Sequence, residues 1–233
     1  MTTPRSSLPS FLPINEIFHS LQGEGYFTGT PALFIRLQSC PVGCPWCDTK
    51  HTWEKNDDRI IPFDAMLNKT VDADTWSDTP LQTLVDYIVK AKEQLVVITG
   101  GEPCLYDLTE LTTAVLGMDK RVQIETSGTE DIRANMATWI TISPKIAMPG
   151  GRKVLMGSLY CADEIKMPVG KPADIVVLLE LLKTLDEFAQ DRPELIYLQP
   201  LSQSPKATQL CIEMAREHGW RLSAQLHKYL EVR

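Results

Sequence analysis

The chain has 233 residues, of which 43% are hydrophobic and 23% charged, with 23 Lys and Arg against 30 Asp and Glu for a net charge of −7. That is enough apolar material for one core of ordinary size, which excludes a disulfide-stapled miniature and favours a single domain. The acidic balance argues against a nucleic-acid partner, because duplex binding needs clustered positive charge, and no apolar run nears the roughly 18 residues that cross a bilayer, so no membrane partner is expected.

Residues 1–13, MTTPRSSLPSFLP, carry a single Arg and no apolar h-region. They read as a flexible leader rather than a secretory signal, and the expected location is cytoplasmic. Residues 14–233 are expected to form one core domain. PALFIRLQ (31–38) is strand-like and runs into a cysteine cluster. The polar stretch that follows has weak helical character over 63–69; residues 55–79 read as an insertion, with too few apolar residues for a core of their own. LQTLVDYIVKA (81–91) has apolar residues at helical spacing. Strands are then expected at 95–99, 121–126, 139–144, 162–168, 195–200 and 221–227, and helices at 108–116, 175–188 and 208–219. Strands alternating with helices indicate a parallel α/β sheet. Polar residues sit just after the strands, the edge where α/β barrels place their chemistry. The strands are too few for eight βα units, so a partial barrel is expected.

Six cysteines are present: Cys40, Cys44, Cys47, Cys104, Cys161 and Cys211. Without a signal segment the expected compartment is reducing, where a tight cysteine cluster binds metal or does redox chemistry. The three scattered cysteines read as small buried hydrophobes. The spacing C-x3-C-x2-C puts three thiolates on one loop. Structural zinc wants a fourth ligand, for which His51 is close in sequence. An iron–sulfur cube usually takes four cysteines, so three would leave one iron open to a ligand. The spacing leaves both metals open.

Cys40, Cys44 and Cys47, with Trp46 before the last, resemble the cluster motif of radical S-adenosylmethionine enzymes. VVITGGEPCL (96–105) resembles the Gly-Gly-Glu-Pro motif of the same superfamily. INEIFHSLQGEGYFTG (14–29), FIRLQSCPVGCPWCDTKHTW (34–53), IETSGT (124–129), SPK (143–145), LQPLS (198–202) and QLHKYL (225–230) narrow the resemblance to 7-carboxy-7-deazaguanine synthases. These blocks cover nearly the whole chain. The resemblance implies a modified partial TIM-like (βα)6 barrel working as a homodimer. It implies ring contraction of 6-carboxy-5,6,7,8-tetrahydropterin to 7-carboxy-7-deazaguanine with release of ammonia, on the route to queuosine.

The same resemblance implies roles for individual residues. Cys40, Cys44 and Cys47 would hold a [4Fe–4S] cluster whose open iron binds S-adenosyl-L-methionine; one electron would split that cofactor to a radical that takes a hydrogen from the pterin. Trp46, Cys47 and Asp48 would lie along the cofactor, and Gly100, Gly101 and Glu102 at its methionine end. Ser143, Pro144 and Lys145, with Gln199, Pro200, Leu201 and Ser202, would line its adenosine side. Glu125 would touch cofactor or substrate. Thr49 would ligate Mg2+. Leu21, Gln22, Gly23 and Glu24 would meet the pterin edge, joined by Thr99, His227 and the C-terminal carboxylate of Arg233. Arg36 lies in an apolar strand, where a charge is costly unless paired. Its partner is either the substrate carboxylate, which matches guanidinium as a bidentate fork, or an internal acid. The electron donor is expected to be flavodoxin-like. Two rival readings stand beside this one: a glycyl-radical activating enzyme, whose partner is a large protein, and a zinc-loop interaction module.

Overall fold

The structure is a computed structural model that describes residues 11–188 and 193–232. Its frame is a nine-stranded sheet in the order β3-β1-β2-β4-β5-β6-β7-β8-β9. In chain order these are β1 (Phe11–Leu21), β2 (Pro31–Leu37), β3 (Ser77–Pro80), β4 (Leu95–Gly100), β5 (Arg121–Thr126), β6 (Trp139–Ile142), β7 (Glu164–Val169), β8 (Leu195–Pro200) and β9 (Arg221–Leu222). β1 is antiparallel to both neighbours, and from β2 onward every pairing is parallel. Helices α1 (Phe63–Leu67), α2 (Leu81–Lys90), α3 (Thr109–Leu116), α4 (Met156–Tyr160), α5 (Pro172–Phe188) and α6 (Pro205–His218) fill the connections, and α7 (Leu226–Leu230) follows β9.

The core forms where continuous apolar strand runs meet helical stripes. Val96, Ile98, Ile124, Ile142, Ile165 and Leu198 are buried on the strands. Leu84 and Ile88 of α2, Leu111 and Val115 of α3, and Leu178, Leu182 and Leu185 of α5 face them at three- and four-residue spacing. α6 stops at Gly219, whose φ of 72° is the left-handed cap that glycine adopts without strain.

The sheet curls. β1 and β7 stand five places apart in the order, which in a flat sheet would separate them by about 24 Å. Yet Glu24, just beyond β1, pairs with Lys166 of β7, and Gly25 N donates to Ser223 Oγ at 3.2 Å beside β9. The outer strands β3 and β9 do not pair with each other, so the sheet stays open. The α/β class read from the sequence holds.

Two expectations change. The leader expected over 1–13 ends earlier: β1 begins at Phe11, and Phe11, Leu12 and Pro13 pair with Pro80, Thr79 and Asp78; residues 1–10 lie outside the described residues. β1 escapes notice in sequence because Asn15, Glu16 and His19 interrupt its apolar pattern. The strand expected over 221–227 is only two residues long, since Gln225 takes a positive φ of 49° and the chain turns into α7. The segment 55–79, read as an insertion, is anchored to the rest of the fold. Met66 and Trp76 are buried, Trp76 Nε1 donates to Asn56 O at 2.9 Å, and Lys69 Nζ donates to Asn15 O, Ala73 O and Thr75 O at 3.0–3.1 Å. Among the described residues no helix is long and apolar enough to cross a membrane.

Candidate active site

The cysteine loop leaves the carboxyl end of β2 and is closed at its base. Ser39 N donates to Thr52 O at 2.7 Å and Cys40 N to Trp53 O at 3.0 Å. Cys47 N donates to Cys44 O at 3.0 Å, which draws the second and third cysteines into one turn. Two glycine-bearing segments press on this loop. A Cβ on Gly101 would stand 2.0 Å from Ser39 O, and one on Gly150 would stand 1.9 Å from Pro41 O. Instead, Gly101 N donates to Leu37 O, Glu102 N to Ser39 O and Gly150 N to Val42 O, all within 3.0 Å. The Gly-Gly pair therefore serves first to let two backbone segments meet.

Burial pushes the Cys40 thiol up to about 11, and nearby Glu102 adds to the rise. Burial also raises Cys44, against the pull of Lys145. Such thiols keep their protons until a metal displaces them. Trp53 Nε1 donates to Cys47 Sγ at 3.4 Å, and Thr49 Oγ1 lies 3.5 Å from the same sulfur.

His51 is not a fourth ligand to this loop. It gathers with Glu16 and Asp72, and among the described residues that trio is the one set of three ligating side chains within 4.8 Å of one another. The trio itself is already compensated, because Glu16 Oε1 accepts from Arg36 Nε at 2.6 Å and the positive charges of Arg36 and Lys69 both act on His51.

A cavity of about 340 Å³ opens at the carboxyl ends of the parallel strands. Leu21, Gln22, Gly23, Glu24, Arg36, Cys40, Cys44, Trp46, Cys47, Asp48, Thr49 and Thr99 line it, as do Gly100, Gly101, Glu102, Glu125, Ser143, Lys145, Gln199, Leu201, Ser202 and His227. Pro144 and Pro200 are not among the lining residues, and Arg233 lies outside the described residues. Several members are committed to protein partners. Arg36 has the internal acid, Glu16, with its Nε at 2.6 Å, and lies over the Phe18 ring at 5.6 Å while lining the cavity. Glu102 is 1% exposed. Its Oε1 accepts from Cys104 N at 3.0 Å and Thr126 Oγ1 at 2.6 Å, and its Oε2 from Ser127 N at 2.9 Å and Ser127 Oγ. It ties the Gly-Gly loop to the end of β5.

Sequence reasoning missed Lys166, Gln225, Lys228, Ser127 and the stacked pair Phe18 and Phe34, which also line the cavity. Lys166 had a signal: a charge inside the apolar run Ile165–Met167, the reasoning that singled out Arg36. Gln225 had none, because its place depends on a left-handed turn. Lys166 Nζ pairs with Glu24 Oε2, and with Glu125 Oε2 at 2.6 Å. Gln22 Nε2 donates to Glu125 Oε1 at 2.9 Å and Gln225 Nε2 to Glu24 Oε1 at 2.8 Å. Burial works to raise Glu24, but Lys166, Gln225 and His227 bring it down to about 2. Burial works to lower Lys166, but the two carboxylates hold it well above the usual lysine range. Lys145 is lowered, first by burial and then by Lys166.

No family model matches the chain. It is 52% identical over 222 residues to the 7-carboxy-7-deazaguanine synthase of Escherichia coli K12, covering 94% of this chain and 98% of that protein. It is 46% identical to that of Buchnera aphidicola, covering 96% and 100% of the two chains, and 36% identical to that of Prochlorococcus marinus, covering 95% and 98%. The crystal structure of QueE from Escherichia coli superposes with a TM-score of 0.89 at 51% identity, covering 93% of this chain and 95% of that one. Fold, cavity and full-length similarity agree, and the chain belongs to the 7-carboxy-7-deazaguanine synthase family of radical S-adenosylmethionine enzymes.

Proposed function

We propose that this cavity converts 6-carboxy-5,6,7,8-tetrahydropterin to 7-carboxy-7-deazaguanine with release of ammonia. The observation that carries this reading is convergence: the three-cysteine loop, the Gly-Gly-Glu loop and the Glu24–Lys166–Glu125 network all open on one cavity. The donor set fits the group the family implies. Cys40, Cys44 and Cys47 supply three soft sulfur ligands for a [4Fe–4S] cluster and leave one iron open. Gln199 lines the same cavity, and its Oε1 is buried without a hydrogen-bond partner among the described residues, as an oxygen awaiting a cofactor donor would be. With S-adenosyl-L-methionine bound, the cluster supplies one-electron chemistry that takes a hydrogen from the substrate.

The chain's own residues bind and orient. Gly100 and Gly101 present backbone at the methionine end, with Glu102 bracing the loop from behind. Trp46, Asp48, Ser143, Lys145, Leu201 and Ser202 bound the cofactor side. Thr49 offers a hydroxyl to Mg2+, a hard cation that prefers oxygen. Arg36, lining the cavity, would meet the substrate carboxylate, while Leu21, Gln22, Gly23, Glu24, Thr99 and His227 frame the ring. The curled sheet fits a partial TIM-like (βα)6 barrel. A homodimer, a flavodoxin-like electron donor and a cytoplasmic location complete the proposal.

The test is anaerobic reconstitution with iron and sulfide. A brown protein with about four of each per chain is expected, and the carboxytetrahydropterin with S-adenosyl-L-methionine and reductant should give the deazaguanine. A colourless protein holding zinc, or 5′-deoxyadenosine formed only when a protein partner is added, would overturn it.

A further inference from the structure

Lys166 is more deeply buried than the two acids it pairs with, its side chain 3% exposed against 14% for Glu24 and 19% for Glu125. It does not reach the cysteine loop in any hydrogen bond or ion pair among the described residues. Its ammonium lies between two carboxylates from different parts of the curled sheet, one beyond β1 and one on β5. Glu24 has three protein donors, Lys166 on one oxygen and Gln225 with the more distant Gln199, at 3.4 Å, on the other, while Glu125 has Lys166 and Gln22, one on each oxygen. An ionised carboxylate offers about four acceptor sites, so Glu24 keeps about one and Glu125 about two for a ligand.

We propose that Lys166 is a positioning residue that keeps Glu24 and Glu125 ionised together, so that both accept N–H donors from the amino-substituted edge of the substrate. The proposal rests on the substrate reading above. Its physics is like-charge repulsion. Two buried carboxylates that share a site cannot both ionise at neutral pH unless a cation stands between them, and without it the pair holds a proton. A protonated member is a donor where the ligand needs an acceptor. The other charged or titratable groups around the pair are Lys145 beyond β6, Glu164 on β7, and His227 and Lys228 on α7. Lys145, whose pKa is lowered first by burial and also by Lys166, has its Nζ donating to Ser143 Oγ. Lys228 Nζ is taken by Gln225 Oε1 at 3.1 Å. Neither replaces Lys166 between the two acids.

The test measures substrate binding to the reconstituted enzyme from pH 5.5 to 8.5, chosen to bracket about two units below and one above a carboxyl driven to near neutrality. Each variant is read as the ratio of its dissociation constant to that of wild type at the same pH. In Lys166→Met that ratio should grow about tenfold per pH unit below the displaced titration, the slope of one proton. Lys166→Arg, which retains the charge, should restore most of the wild-type profile. In Lys166→Met/Glu24→Gln the repulsion is gone, because the glutamine oxygen can still accept from Gln225 while its amide faces Glu125. The ratio should then be flat with pH though above one. That double variant also answers a Lys166→Met protein that fails to fold. A flat ratio in Lys166→Met, or a sloping one in the double variant, would overturn the role of Lys166. Failure of wild type to bind the pterin at any pH would instead overturn the substrate reading.

Discussion

At Glu102 a buried carboxylate is balanced by four N–H and O–H donors and by no cation among the described residues. Both oxygens accept, so an isosteric amide cannot substitute: Glu102→Gln would turn its NH2 toward the Ser127 or Cys104 N–H. Each buried donor left unpaired costs about 1–3 kcal/mol, and the loop they brace holds Gly101 against Ser39. We expect Glu102→Gln to lower the denaturation midpoint and the iron bound per chain together; a variant with wild-type values of both would remove Glu102 from the scaffold. Glu24 carries a different prediction. Its carboxyl falls from 4.5 to about 2 on folding, because Lys166 outweighs the burial that would raise it. The native state therefore binds that proton more weakly than the unfolded chain. Its stabilising contribution is complete above pH 4.5 and is lost as pH falls toward 2. Stepwise unfolding in that window should show a shallower acid limb in Glu24→Gln than in wild type, and parallel limbs would contradict the shift.

Among the elements, α7 shows most directly how tightly the site is closed. Leu226 N donates to Gly23 O at 2.8 Å, and a Cβ on Gly23 would stand 2.2 Å from His227 Nδ1. The glycine of the LQGEG turn thus holds room for the histidine of the tail. Gly23→Ala should displace α7 and raise the KM for the pterin at least about tenfold, the factor of a 1.4 kcal/mol loss in binding. Stability should change less, since α7 has no fully buried residue. An unchanged KM would mean that α7 does not help hold the substrate. Elements were legible to the degree that their neighbours in space were neighbours in pattern. The runs 121–126 and 195–200 match β5 and β8 residue for residue, because each is a short run with an apolar centre buried on both faces. β1 was not legible. Its Asn15 is satisfied by Gln38 and by Ala73 O and Thr75 O, and its Glu16 by Arg36, partners 20 to 60 residues away. Polarity that folding pairs off looks like loop in the bare chain.

Over the whole molecule, two kinds of interaction are separated in space. Apolar burial holds the sheet to its helices, whereas the cysteine loop is held by backbone hydrogen bonds to the segments after β4 and β6. The motifs were legible because each lies within a few consecutive residues, and the cavity gathers them. The network between them was not, since Gln22, Glu24, Glu125, Lys166 and Gln225 come together only when the sheet curls. The separation predicts how the protein responds to loss of its cluster. None of Cys40, Cys44 and Cys47 belongs to the main hydrophobic core, which runs through Ile35, Ile98, Ile124, Ile165 and Leu198. Removing iron with a chelator should therefore leave cooperative unfolding intact, with the loop loosened by local opening rather than by global collapse. In hydrogen exchange, protection should fall at residues 39–53, 100–104 and 148–151, while the amides of β4, β5 and β8 retain theirs. If those central strands exchange as fast as the loop once iron is gone, the cluster is a folding element of the whole domain. In that case the apolar core alone is insufficient to hold the sheet, and the division between scaffold and site drawn from its packing is wrong.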